Sequence, residues 1–166
     1  MPRFGRVLTA MVTPFHADGS LNLDGAVKLA RWLQDNGNDG LVLAGTTGES
    51  STLTDDEKLS LFDTVVKAVS IPVIAGTGSN DTAHSVHLTK EATKLGVAGI
   101  LAVCPYYNRP SQAGIDAHIR AMSAATTLPV VIYDIPVRTG RKINTTTLAK
   151  LANEVKNVAG VKDAAG

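Results

Sequence analysis

A single cysteine, Cys104, stands in 166 residues, so no disulfide framework can close within the chain. Aromatic residues make up only 4% of positions, and neither sign of charge dominates: 16 Lys and Arg face 15 Asp and Glu, for a formal charge of +1. These charges are spread along the sequence, so no basic stripe is built to neutralise a phosphate backbone or an anionic bilayer; nucleic acid and membrane are therefore excluded as expected partners. No apolar run approaches the roughly 20 residues that span a bilayer. The opening Met1-Pro2-Arg3-Phe4-Gly5 lacks the apolar stretch of a secretory leader, and a cytoplasmic address is the expectation. With 44% hydrophobic and 19% charged positions, the chain has the composition of a domain that buries a core.

What the sequence does have is a rhythm. Short apolar, β-branched runs at residues 7–12, 40–44, 72–75, 99–103, 130–133 and 160–162 read as strands, and segments of helical period lie between them. Thr54-Asp55-Asp56-Glu57 matches a capping box, in which the hydroxyl and the carboxylate each satisfy an orphan backbone donor; Leu59, Phe62, Val66 and Val69 follow as the expected buried face. The same reading gives Val27, Ala30 and Leu33; Val86, Ala92 and Leu95; Ile115, Ile119 and Met122; and Leu148, Leu151 and Val155 as inward faces. Trp32 is expected to pack on the outer helical layer. Strands joined through single helices run parallel, so residues 1–166 form one α/β domain, as a doubly wound sheet or as a barrel.

In either architecture a ligand site lies beyond the carboxyl ends of the strands. After the second strand, Gly45-Thr46-Thr47-Gly48-Glu49-Ser50 can turn backbone N–H groups and hydroxyls toward a carboxylate, or can simply be a glycine-rich turn that caps the next element. After the third, Gly76-Thr77-Gly78-Ser79-Asn80-Asp81 starts like a dinucleotide fingerprint but has Asp81 where the third glycine belongs, and reads as a turn plus helix cap. The fourth and fifth strands lead into Pro105-Tyr106-Tyr107-Asn108-Arg109-Pro110 and Tyr133-Asp134-Ile135-Pro136-Val137-Arg138-Thr139-Gly140. Tyrosines in such places are commonly packing residues, and arginines commonly surface charges. The sixth strand holds the least ordinary residue, Lys162, inside Ala159-Gly160-Val161-Lys162-Asp163-Ala164. Alternation puts Lys162 on the same side as Gly160 and Ala164, leaving room around the amine. Desolvation favours an uncharged and therefore nucleophilic amine, which can attack a ketone; the other reading is a lysine that snorkels to water near the last residues. His84 and His87 lie three apart on a helix without a carboxylate or cysteine partner at metal-site spacing, so no metal is expected.

Four of these segments together resemble the dihydrodipicolinate synthase family: Gly45-Thr46-Thr47-Gly48-Glu49; Tyr106-Tyr107-Asn108-Arg109-Pro110; Tyr133, Pro136, Arg138, Thr139 and Gly140; and Gly160-Val161-Lys162-Asp163-Ala164. The resemblance implies a (β/α)8 TIM barrel, of which this chain would contain only the first six strands, since a complete barrel takes about 250 residues. The last two βα units and any C-terminal helical extension would be missing. It implies further that Lys162 forms a covalent imine with pyruvate and that no cofactor is needed. Tyr133, Thr47 and Tyr107 would relay protons as catalytic residues, Thr46 and Thr47 would bind the pyruvate carboxylate, and Arg138 would bind the carboxylate of aspartate semialdehyde. Tyr107 reaches into a neighbouring subunit's site in the family, so a homodimer or homotetramer is implied. N-acetylneuraminate lyases and sugar-acid aldolases share the lysine and the tyrosine–proline segment; Thr46-Thr47, Tyr107 and Arg138 favour the synthase. Asp134 and Val137 stand where Asn and Ser are commoner. Lysine-inhibited members carry histidines and a glutamate where this chain has Asp55, Lys58 and His84, so weak lysine feedback is expected. The short chain also admits a reading as a truncated or engineered partial barrel without catalysis.

Overall fold

The computed structural model describes residues 4–166; Met1, Pro2 and Arg3, part of the opening read above, lie outside the described residues. The chain resolves into two compact units. The first runs to Gly76 and includes Lys94–Ala98; the second comprises Thr77–Thr93 and Gly99–Gly166.

In the first unit, β1 (Leu8–Ala10), β2 (Gly40–Leu43) and β3 (Val73–Gly76) pair in parallel, in chain order, with Thr9 opposite Leu41 and Val42 opposite Ile74. The first strand is shorter than the apolar run of residues 7–12, and Val7 and Val12 at its ends are about half exposed. Helix α1 (Leu23–Asp35) starts at Asn22, whose side chain accepts from the Gly25 N–H at 2.7 Å, and buries Ala26, Ala30 and Leu33. Helix α2 (Asp55–Ala68) opens with the expected capping box: the Thr54 N–H donates to Glu57 at 2.8 Å and the Glu57 N–H to Thr54 Oγ1 at 3.3 Å. Its inward stripe differs from the expected one. Lys58, Leu61, Phe62 and Val65 are buried, whereas Leu59, Val66 and Val69 are only partly covered. Two apolar stripes overlap on this helix, and the one that faces the sheet lies one residue earlier in the helical period. Position 76, the last of β3, is glycine because a Cβ there would fall 2.2 Å from the Ala44 carbonyl oxygen; no side chain fits so close an approach.

In the second unit, α3 (Thr82–Thr93) precedes β4 (Gly99–Val103), α4 (Gln112–Ala124), β5 (Val130–Asp134), the one-turn α5 (Pro136–Thr139), α6 (Thr145–Glu154) and β6 (Val158–Asp163). Here too the strands are parallel and in chain order. Ile115, Ile119 and Met122 are buried on α4 as the periodicity predicts, joined by His118 and Ser123. The inward face of α3 is more polar than expected: Ser85 and Thr89 are buried beside Leu88 and Ala92, and the Thr89 hydroxyl lies 2.7 Å from that of Thr77. The sixth strand is longer than residues 160–162, and α5 was not expected at all. Trp32, expected to pack on the outer helical layer, is instead 60% exposed on α1. No helix among the described residues is long and apolar enough to cross a membrane.

Candidate active site

The chemistry of the second unit centres on the last two strands. Along β6, partly covered and exposed residues alternate from Val158 to Asp163, the period of a strand with one face turned inward. Lys162 is on the covered face with Gly160, and a Cβ added at Gly160 would meet nothing within 4 Å. The parallel register sets Lys162 beside Tyr133 of β5, and the Lys162 Nζ lies 4.2 Å from the centre of the Tyr133 ring. The half-covered lysine head thus lies within contact range of the phenol face. Tyr133 is 4% exposed, which fixes the ring as a platform.

Next to this pair, Asp134 is buried and accepts the Ile143 N–H at 3.2 Å. Burial holds its carboxyl above the usual range; the Ile143 bond opposes that, and the nearby Asp163 charge adds to it. Cys104, at the end of β4, is buried, and desolvation with the Asp134 charge pushes its thiol up to about 11, which makes it a poor nucleophile.

Arg138 is exposed on α5, a single turn with Pro136 at its start and Gly140 at φ 69° as its left-handed cap. Tyr107 is 87% exposed and has φ 68°; the Asn108 N–H donates across it to the Tyr106 carbonyl at 2.8 Å. Asn108 is held from the other side by Asn80, its Nδ2 donating to the Asn80 carbonyl at 2.9 Å and its Oδ1 accepting from Asn80 Nδ2 at 3.1 Å.

Thr46 and Thr47 belong to the first unit, both exposed on the loop between β2 and α2. That loop is folded on itself: the Glu49 N–H donates to the Thr46 carbonyl, the Ser50 N–H to Gly45, and the Thr13 hydroxyl to Gly48 at 2.6 Å. Ala44 and Glu49 flank it with positive φ. The segment after β3 is a turn and cap as read, with Asp81 accepting the His84 N–H at 3.1 Å. No three His, Cys, Asp or Glu side chains among the described residues are grouped to hold a metal. The structure thus brings Lys162 and Tyr133 together and places Tyr107 and Arg138 on exposed loops of the same unit. Sequence reasoning missed the buried Asp134, the Asn80–Asn108 pair and the bonding of Arg109 and Arg141. Asp134 could have been suspected from its place at the end of an apolar run; the others depend on contacts distant in sequence.

The family model described as the dihydrodipicolinate synthetase family matches residues 3–166. A 4-hydroxy-tetrahydrodipicolinate synthase of Moorella thermoacetica is 58% identical over 166 residues, covering 99% of this chain and 56% of that protein. The solved dihydrodipicolinate synthase of Cyanidioschyzon merolae with lysine bound is 46% identical, with a TM-score of 0.98 over 100% of this chain and 57% of that one. The chloride-inhibited enzyme of Acinetobacter baumannii complexed with pyruvate is 39% identical, with a TM-score of 0.92 over 96% of this chain and 55% of that one. The fold class is therefore α/β of the TIM-barrel type, with six strands present, and the chain spans about 56% of the length of the curated relatives it matches.

Proposed function

From the fact that the chain belongs to the dihydrodipicolinate synthetase family, we propose that it carries the imine-forming part of a cytoplasmic lyase that condenses pyruvate with aspartate semialdehyde. The carrying observation is Lys162, half-buried on the inward face of β6 with its amine over the buried Tyr133 ring and open space at Gly160. In this reading the Lys162 amine adds to the ketone of pyruvate, and loss of water leaves an imine. The imine draws electrons from the adjacent methyl group, which gives up a proton to form an enamine. The enamine carbon then bonds to the aldehyde of the second substrate, whose oxygen takes up the proton. No cofactor is required.

Tyr133, next to the reacting nitrogen, is the proton-transfer group nearest to hand. Thr47 and Tyr107 complete the relay, and Thr46 with Thr47 holds the pyruvate carboxylate. Arg138 receives the carboxylate of aspartate semialdehyde, for which a planar guanidinium fork is suited. The exposure of Tyr107 supports its reaching a neighbouring copy in a homodimer or homotetramer. Pyruvate with borohydride, followed by peptide mass analysis, tests this reading: a reduced adduct on Lys162, absent in Lys162→Ala, is the expected result. A folded sample that takes no label refutes the enzymatic reading for this chain.

A further inference from the structure

Tyr107 is held in a conformation that it would not keep alone. A positive φ with an N–H to C=O bond between its two neighbours is the geometry of a γ-turn of the rare, strained kind. Arg109, two residues on, is also in the left-handed region at φ 49°. Such residues persist only where the surroundings over-determine them, and they concentrate at ligand clamps and active sites.

The surroundings here consist of two ties. On one flank is the Asn80–Asn108 pair. On the other, Arg109 Nε donates to the Gly140 carbonyl at 3.1 Å, and Arg141 Nη2 donates back to the Arg109 carbonyl at 3.1 Å. Each loop thus supplies one guanidinium and one carbonyl to the other. The Arg109 side chain also lies against Gly140, where a Cβ would meet its Nε at 3.3 Å. Gly140 is the cap of the turn that carries Arg138. We propose that Arg109 and Arg141 are positioning residues that lock the Tyr107 loop to the Arg138 turn, so that the phenol and the substrate-binding guanidinium are presented in one fixed relation.

The inference rests on the roles proposed above for Tyr107 and Arg138, but the lock itself can be read without turnover. Arg109→Ala and Arg141→Ala are compared with the wild type by hydrogen exchange over residues 105–110 and 136–143. Each single substitution is expected to speed exchange several-fold in both segments, because either loop needs the other. Faster exchange confined to the mutated loop, or none, overturns the lock. In turnover, the same variants should raise the KM for aspartate semialdehyde on the order of 10-fold, while the KM for pyruvate and borohydride labelling of Lys162 stay as in the wild type. Arg109→Lys, which keeps the charge but loses the guanidinium Nε, should not restore it. Coupled exchange with an unchanged KM makes the pair a structural tie only and overturns the positioning role. Absence of label on wild-type Lys162 sinks the enzymatic reading instead, a separate result from loss of coupled exchange.

Discussion

Acidification toward about pH 4.5 should weaken the second unit through His118, with the raised carboxyl of Asp134 working the other way. The His118 ring is 2% exposed on the inward face of α4, with Nδ1 2.8 Å from the Thr82 hydroxyl and Nε2 without a hydrogen-bond partner. Burial pushes the imidazole down to about 4 from an ordinary 6.5, against a weaker upward pull from the Asp81 charge. The unfolded chain takes up its proton near 6.5, whereas the folded chain resists until about 4. The contribution is therefore whole above 6.5 and disappears as pH falls through that window. At 1.36 kcal/mol per unit the full term is about 3 kcal/mol, most of which is lost between about pH 7.5 and 4.5. That corresponds to a fall in Tm of about 5–10 °C for a chain of this size. Asp39, Glu57 and Asp116 are held below the ordinary carboxylate range by hydrogen bonds, so their losses come at still lower pH. The control is His118→Phe, which keeps the ring volume and removes the titration. Urea unfolding at the two pH values, with exchange of the α3 and α4 amides, should show a steeper loss in the wild type than in the variant. Equal pH slopes would mean that the ring finds a proton acceptor or water in the folded state and would refute the argument.

Arg138→Lys should raise the KM for aspartate semialdehyde more than that for pyruvate, because an ammonium replaces a two-pronged donor with a point charge; equal effects in steady-state kinetics would remove Arg138 from second-substrate binding. Added lysine should inhibit weakly. The family resemblance implies other residues than Asp55, Lys58 and His84 at the lysine-binding places of inhibited members, and Lys58 is itself buried, its amine 3.7 Å from Asp55. Half-inhibition at sub-millimolar lysine in a titration of activity would overturn this expectation.

The parts of the fold that local rules decide were legible in the residues. β-branched runs marked every strand, and Thr54 with Glu57 marked the start of α2, because those signals are read within four residues. The phase of the α2 stripe was not, since Leu59 and Val66 are as apolar as Leu61 and Val65, and only the sheet beneath selects between them. Helix α5 carried a readable signal in Pro136 at its first position and Gly140 at its cap, but one turn is too short for periodicity to show. Arg109 and Arg141 looked like surface cations because their acceptors are main-chain carbonyls about thirty residues away. Backbone acceptors leave no trace in side-chain type.

Lys162 shows the same division within one residue. Alternation along β6 told which face the amine takes, but not what it meets there, which depends on register with β5. Val130 pairs with Val158, yet the next residue, Val131, pairs with Gly160; the shift leaves Ala159 as an extra residue in β6. Without it, Tyr133 would stand opposite Val161, and Lys162 opposite the buried carboxyl of Asp134. A one-residue slip reverses which side chains share a face, so the irregularity decides between an amine paired with a carboxylate and one over a phenol. Only the second arrangement leaves the nitrogen uncommitted to an anion and next to a group that can donate and accept a proton. The chemistry proposed for Lys162 therefore depends as much on the shift at Ala159, which brings Tyr133 alongside, as on the lysine itself.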